Sequence, residues 1–244
     1  MLSELEAIRY DRQLIIKEWG IKGQHRLKRS TVTVVGVGGL GSPISMYLAA
    51  AGVGRLRLVD PGIYELSNLN RQILGWTRDI GVTKVKAAAQ KLNMLNPHVE
   101  IETIDERVDE NNVIKVIDGS DVVVDALDNW KSRYILNEAC VKMGIPLVHG
   151  GIHGFGGQAT TIVPGSGPCL KCIFPRAPEE PDNIPVAGFT PGVIGCIEAM
   201  EAVKLIIGAG KPLVGRLLLF DGLECEFTLI KVERDPNCET CSEL

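Results

Sequence analysis

The segment Gly36-Val37-Gly38-Gly39-Leu40-Gly41 constrains this chain more than any other, because of what flanks it. Thr31 to Gly36 (TVTVVG) is a β-branched run that reads as a buried strand. Leu40 to Ala51 (LGSPISMYLAAA) is rich in alanine and leucine and reads as a helix. Glycines in G-x-G-x-x-G spacing between such elements permit a tight turn and bring the unpaired amides of a helix N-terminus to the edge of a sheet, where they attract phosphate. Gly52 stops the helix. Arg55 to Asp60 (RLRLVD) then alternates like a strand, which completes a βαβ unit with a right-handed crossover.

The same rhythm continues. A helix is expected over Lys84 to Leu95, stopped by Asn96-Pro97, then a strand over Val99 to Ile104 and a helix near Glu110 to Asp118. The strand Asp121 to Leu127, a helix near Lys131 to Met143 and the strand Pro146 to Gly150 follow. After Gly151 the pattern changes: GGIHGFGGQATTIVPG suggests an antiparallel strand, followed by a cysteine turn and a Pro-rich loop from Pro175 to Pro191. An amphipathic helix over Val193 to Ile207 and strands over Arg216 to Phe220 and Glu226 to Val232 come last. The first thirty residues suit short helices lying against the rest. The expected fold class is α/β: a Rossmann-like, doubly wound, mainly parallel sheet with an antiparallel C-terminal extension and a structural zinc site.

A length of 244 residues with 45% hydrophobic and 23% charged residues suits one large domain, and neither linker nor internal repeat divides it. The net charge of −4 argues against a stable nucleic-acid partner. The most apolar stretch is interrupted by Glu198, Glu201 and Lys204, and MLSELEAIRYDRQ lacks the apolar core of a signal peptide. A soluble, cytoplasmic protein with no membrane partner is expected.

The glycine loop alone does not separate a dinucleotide from ATP, and neither does Asp60, placed about 20 residues beyond it to bind a ribose hydroxyl. The segment Ser67-Asn68-Leu69-Asn70-Arg71-Gln72 together with Lys84 adds two cations and several amide donors past the ribose. Singly, Arg71 and Lys84 would read as solvated charges at helix starts. With the loop they suit a triphosphate whose pyrophosphate must leave. Asp128 stands where strand ends face a ligand crevice and is a candidate magnesium ligand, one or two carboxylates being enough beside phosphates and water. Asp125 could equally cap the following helix.

Of seven cysteines, four form two CxxC pairs, Cys169/Cys172 and Cys238/Cys241, which can supply a closed and therefore structural four-thiolate zinc site. A redox role is less favoured, because neither pair follows a thioredoxin-like strand. Cys140 and Cys196 fall within expected helices and Cys225 begins an expected strand, so all three read as structural thiols. His149 and His153, at and just after the last parallel strand, read as turn or core residues without an assigned role.

Taken in order, RYDRQ (9–13), GVGGLGS (36–42), SNLNRQ (67–72), DIGVTKV (79–85), DALDN (125–129) and PGVIGCIEAMEAVKLIIG (191–208) closely resemble the ThiF/MoeB branch of the ubiquitin-activating superfamily over nearly the whole chain. The resemblance implies a single adenylation domain: N-terminal helices to residue 30, a nucleotide-binding half over 31–150, and the antiparallel extension with crossing loop and zinc segments over 151–244. It implies that Gly36, Gly38, Gly39 and Gly41 form the nucleotide loop, that Asp60 binds ribose, and that Ser67, Asn68, Asn70, Arg71 and Lys84 surround the phosphates of ATP. Asp128, with Asn129 beside it, would hold Mg2+. Arg12 matches an arginine that reaches into a neighbouring subunit's site, which implies a homodimer; on its own it reads as a surface charge.

The implied reaction is adenylation of the C-terminal glycine carboxylate of a small ubiquitin-like sulfur-carrier protein ending in Gly-Gly, of the MoaD/ThiS type. A peptide, a tRNA base or a small carboxylate would be the alternative substrate. An NAD-dependent dehydrogenase or a nucleotide-binding protein without turnover explains fewer of these residues. One departure is plain: the crossing loop reads Ile184-Pro185-Val186-Ala187-Gly188-Phe189, without the cysteine many relatives carry there. A loop-borne thioester or persulfide is therefore not expected.

Overall fold

The computed structural model describes residues 1–179 and 184–243. The chain opens with three helices, α1 (Glu4–Arg9), α2 (Asp11–Leu14) and α3 (Gly20–Leu27), followed by β1 (Thr31–Val35), α4 (Gly41–Ala51), β2 (Arg55–Val59) and α5 (Lys84–Leu95). It continues through β3 (Glu100–Ile104), α6 (Val113–Ile117), β4 (Val122–Asp125), α7 (Trp130–Met143) and β5 (Leu147–His153). The remaining elements are β6 (Gly156–Ile162), α8 (Leu170–Ile173), α9 (Thr190–Ile207), β7 (Arg216–Asp221) and β8 (Glu226–Lys231).

Among the described residues eight strands make one sheet in the order β3-β2-β1-β4-β5-β6-β7-β8. β3 to β5 pair in parallel and β5 to β8 antiparallel, as the sequence led one to expect. The order reverses between β1 and β4, so their carboxyl ends open a crevice at the switch point. Alternation of side chains across the strands fills two cores. Val32, Val34, Leu56, Leu58, Val122 and Val124 face α4, α5 and α9, while Val35, Val59, Val123 and Leu147 face α6 and α7.

The N-terminal helices are fastened to the end of α4, whose last carbonyls lack partners within the helix. Gln24 Nε2 and Gln13 Nε2 donate to Ala51 O at 2.8 and 3.0 Å, and Asn96 Nδ2 donates to Ala49 O at 2.7 Å and to Tyr10 Oη at 2.8 Å. Gly52 closes α4 at φ +87°, where a β-carbon would overlap the Tyr10 ring.

Three differences from the sequence reading have physical causes. β5 runs three residues beyond Gly150, because Gly150 and Gly151 pair with Ala159 and Gln158 of β6. α9 begins at Thr190 with Pro191 in its first turn, where the missing N–H costs nothing. Those two residues therefore belong to the helix, and residues 180–183 of the expected Pro-rich loop lie outside the described residues. Glu198 and Glu201, which interrupt the apolar stretch of the expected amphipathic helix, are both buried in α9. Glu201 is satisfied by Thr161 Oγ1, Leu213 N and Lys204, whereas neither oxygen of Glu198 has a hydrogen-bond partner.

Candidate nucleotide site and cysteine cluster

The crevice at the switch point is a cleft of about 1500 Å³, bounded by the glycine loop, the ends of β2 and β4, and the far ends of β5, β6 and β7. The loop can form only with glycines at two points. Gly36 has φ +100° and a β-carbon there would overlap Ala126 O, while one on Gly41 would overlap Gly36 O. Gly41 thus closes the turn from inside, and Gly36, Gly38 and Gly39 line the cleft.

Asp60 follows β2 and is 8% exposed. Its Oδ2 accepts Val37 N of the glycine loop at 2.7 Å and its Oδ1 accepts Gly62 N at 2.8 Å. This carboxylate ties the two loops together, a duty the sequence gives no sign of; each oxygen keeps a second lone pair for a ligand.

Arg71, Lys84, Asp128 and Asn129 also line the cleft. The stem of Arg71 lies against Gly39, and its Nη1 donates to Ser67 O and Asn70 Oδ1, both at 3.0 Å. Asn68 Oδ1 accepts Glu65 N at 3.1 Å and Ser67 Oγ faces Glu65 Oε2 at 3.4 Å. Ser67, Asn68 and Asn70 therefore stand at the rim, where two of them support Arg71, and are not in the lining. Gly188 of the crossing loop closes over this segment, with no room for a β-carbon against Asn70 O. Lys84 opens α5, Asp128 is exposed and accepts Asn129 Nδ2 at 3.3 Å, and Asn129 Oδ1 caps α7 by accepting Ser132 N at 2.9 Å. Asp128, one of several exposed carboxylates in the lining, shares the cleft with the glycine loop, Arg71 and Lys84, which suits a hard divalent cation held together with phosphates.

Arg12 lies outside the cleft on α2, its side chain 90% exposed, 3.8 Å from Asp11. Sequence reasoning missed Gln72 and Arg133, both buried and both lining the cleft. Gln72 lies beside Gly38 with Oε1 unpartnered. Gln72 stood inside the SNLNRQ motif and could have been found; Arg133 had no such signal. His149 is a core residue, as expected: its Nδ1 is 2.7 Å from Asp125 Oδ2, and burial lowers its pKa against the opposing pull of Asp125. Asp125 is fully buried and does not face the cleft, so it is no magnesium ligand candidate.

The four CxxC thiols converge, with all four Sγ atoms within 4.8 Å of one another. Cys169–Cys172, Cys169–Cys238 and Cys172–Cys241 are 4.0, 3.6 and 3.5 Å apart. A tetrahedral Zn–S bond of ~2.3 Å places sulfurs roughly 3.8 Å apart, so the set fits zinc after small adjustments. Burial raises the Cys238 pKa, but the N–H groups of Thr240 and Cys241 and the thiols of Cys169 and Cys172 outweigh it and leave it lowered. Of the other cysteines, Cys140 is buried and Cys196 half-buried, as a structural reading requires. Cys225 departs from it: the residue is exposed at φ +58° in the turn between β7 and β8, since β8 starts one residue later.

No helix among the described residues is long and apolar enough to cross a membrane. The ThiF family model matches residues 10–240. The SAMP-activating enzyme E1 of Haloferax volcanii is 49% identical over 99% of this chain and 91% of its own length. The sulfur carrier protein adenylyltransferase of Thermus thermophilus is 44% identical over 98% and 92%. Among solved structures, E. coli MccB with MccA-N7isoASN superposes with a TM-score of 0.89 at 22% identity, over 98% of this chain and 75% of that one, which establishes the shared fold. With a family model spanning nearly all of its length and relatives this similar, the chain belongs to the ThiF family.

Proposed function

We propose that this chain is an ATP-dependent adenylyltransferase that activates the C-terminal glycine carboxylate of a ubiquitin-like sulfur-carrier protein ending in Gly-Gly. The observation that carries the reading is the meeting of Arg71, Lys84 and Asp128 on the walls of one cleft around Gly36, Gly38 and Gly39. A diphosphate-bearing dinucleotide needs the glycines and Asp60 but not this added pair of cations with a carboxylate. Relatives named for activating SAMP and for adenylylating a sulfur carrier support the choice of substrate.

No general base is needed, because a terminal carboxylate is already ionised at neutral pH. It attacks the α-phosphorus of ATP in line; a carboxylate O–P bond forms, the bond from that phosphorus to its bridging oxygen breaks, and pyrophosphate departs with the electron pair. The amides at the start of α4 and the side chains of Arg71 and Lys84 hold the phosphates and stabilise charge moving onto pyrophosphate. Asp60 serves the ribose while fastening the loop. Asp128, with Asn129 beside it, would hold Mg2+, which supplies charge neutralisation at the phosphates. Arg12, standing free of its own cleft, serves the site of a second copy in a homodimer. The four thiols would hold structural zinc. With Ile184 in the crossing loop, the reaction proposed ends at the acyl-adenylate.

Mass spectrometry of Gly-Gly-ending carriers incubated with the protein, ATP and magnesium is the test: an added AMP is expected, and lost in Arg71→Ala. Pyrophosphate exchange with no carrier of this class, from folded protein, would overturn the reading.

A further inference from the structure

Leu127, the residue before Asp128, is held at both of its backbone polar groups by buried charged side chains. Arg133 Nη2 donates to Leu127 O at 2.5 Å, and Leu127 N donates to Asp125 Oδ1 at 3.0 Å. The second oxygen of Asp125 meets His149 Nδ1 at 2.7 Å and lies 3.9 Å from Arg133 Nε. Asp125 and His149 are wholly buried and Arg133 is 7% exposed. The guanidinium lies 5.2 Å from the centre of the Trp130 ring, one turn back on α7. The chain thus leaves β4, turns through Ala126 to Asn129, and reaches back from α7 to grip its own turn.

As a means of stabilising a core this arrangement is poor. The opposite charges stand beyond hydrogen-bond distance, and Arg133 Nε is buried without a hydrogen-bond partner. Desolvating two ions for so loose a pairing costs more than their attraction returns. What the arrangement does accomplish is geometric: with both polar groups of Leu127 fixed, the next residue has little freedom, and that residue is the carboxylate on the cleft wall.

We propose that Arg133, braced by Asp125 and His149, is a positioning residue that sets the reach of Asp128 into the nucleotide cleft. This rests on the adenylation reading, in which position does much of the catalysis and a displacement of about 1 Å costs roughly a hundredfold.

The test is a double-mutant cycle on full-length protein with Arg133→Met, Asp128→Asn and the pair, reading pyrophosphate-exchange kcat, KM for the carrier, and Mn2+ affinity of the complex with a non-hydrolysable ATP analogue. Arg133→Met is expected to lower kcat about 10- to 100-fold and weaken Mn2+ binding on the order of tenfold, with KM within about twofold. In the Asp128→Asn background the same change should cost little, since both act through one carboxylate. Losses that multiply, or unchanged Mn2+ affinity in Arg133→Met, would overturn the assignment. Should Arg133→Met not fold, Arg133→Lys takes its place in the same cycle. Asp128→Asn leaving exchange and Mn2+ binding intact would instead refute the role given to Asp128.

Discussion

Replacing Glu198 by glutamine should change the pH dependence of stability in a direction fixed by the structure. Glu198 is wholly buried on α9 and its carboxylate lies on the backbone of Gly150, where any β-carbon would overlap it. Neither oxygen has a hydrogen-bond partner. Burial raises its pKa well above the ordinary carboxylate value of 4.5, and nearby Asp125 adds to the rise while Arg133 opposes it. The folded protein therefore keeps a proton that the unfolded chain releases above about pH 4.5. In that interval the unfolded state binds one proton fewer, so stability declines by about 1.4 kcal/mol for each pH unit until the folded pKa is reached. Glu198→Gln has nearly the same shape and no such proton. Its buried amide carries a pH-independent cost of about 1–3 kcal/mol where unsatisfied, so the intercept is uninformative and the slope decides. Urea unfolding of both proteins at pH 5.5, 6.5 and 7.5 should show the variant gaining on wild type as pH rises, by up to about 1.4 kcal/mol per unit below the folded pKa and levelling off beyond it. For a chain of this size that is a relative gain of ~3–6 °C in Tm. A difference that does not vary with pH, or that favours wild type as pH rises, would refute a buried protonated Glu198 and indicate an ion pair.

Three further outcomes follow from particular contacts. Gly41→Ala places a methyl group against Gly36 O and should cost at least ~2 kcal/mol and abolish ATP binding by calorimetry; binding near wild-type strength would contradict the loop geometry. Lys91→Met leaves Asp79 buried without the ammonium that pairs with it and should cost about 3–5 kcal/mol at pH 7. Burial raises the Asp79 pKa, but Lys91 and Trp76 N outweigh this and lower it, so the deficit should shrink as pH falls below about 4 in denaturant titrations. Metal analysis should find about one zinc per chain, lost in Cys238→Ser along with melting temperature; normal stability in a metal-free variant would exclude a structural role.

Much of the fold is legible in the sequence because the parallel half alternates a strand period with a helix period and punctuates each change. Lys84–Leu95 is a helix over the expected residues, since Thr83 opens it and Asn96-Pro97 forbids its continuation. The cleft residues were legible for a related reason: glycines, Asp60, Arg71, Lys84 and Asp128 sit at strand ends and turns, where chain order and chemistry coincide. What was hidden is tertiary. Nothing local to Arg133 says that it reaches back to Leu127, and nothing near Asp60 says that Val37 and Gly62 occupy its oxygens. Glu198 and Glu201 misled because helical spacing predicts a polar face, whereas α9 crosses under β4, β5 and β6 with that face inward. The glycines at 150 and 157 make room for it, beneath Glu198 and Ile194, which periodicity does not reveal.

The cysteine cluster also bears on the order in which the molecule assembles. Within the parallel half, β1 with β2 and β4 with β5 pair across short crossovers, whereas β1 meets β4 only after β2, β3 and their helices have intervened. The cluster joins Cys169 and Cys172 to Cys238 and Cys241 across the whole of α9, β7 and β8. The span is no longer than that between β1 and β4, and what delays its closure is that β7 and β8 must already be laid against β6 to bring the second pair to the first. Capture of the proposed metal would then be a closing event, possible once the antiparallel strands have delivered both thiol pairs, and it would convert everything between them into a closed loop. A loop tied at its base frays and is cleaved less readily than one whose end is loose, although its tie adds little to the speed of folding. With metal bound, the thiols would act as a latch on a nearly finished structure, and their effect would belong in the unfolding rate.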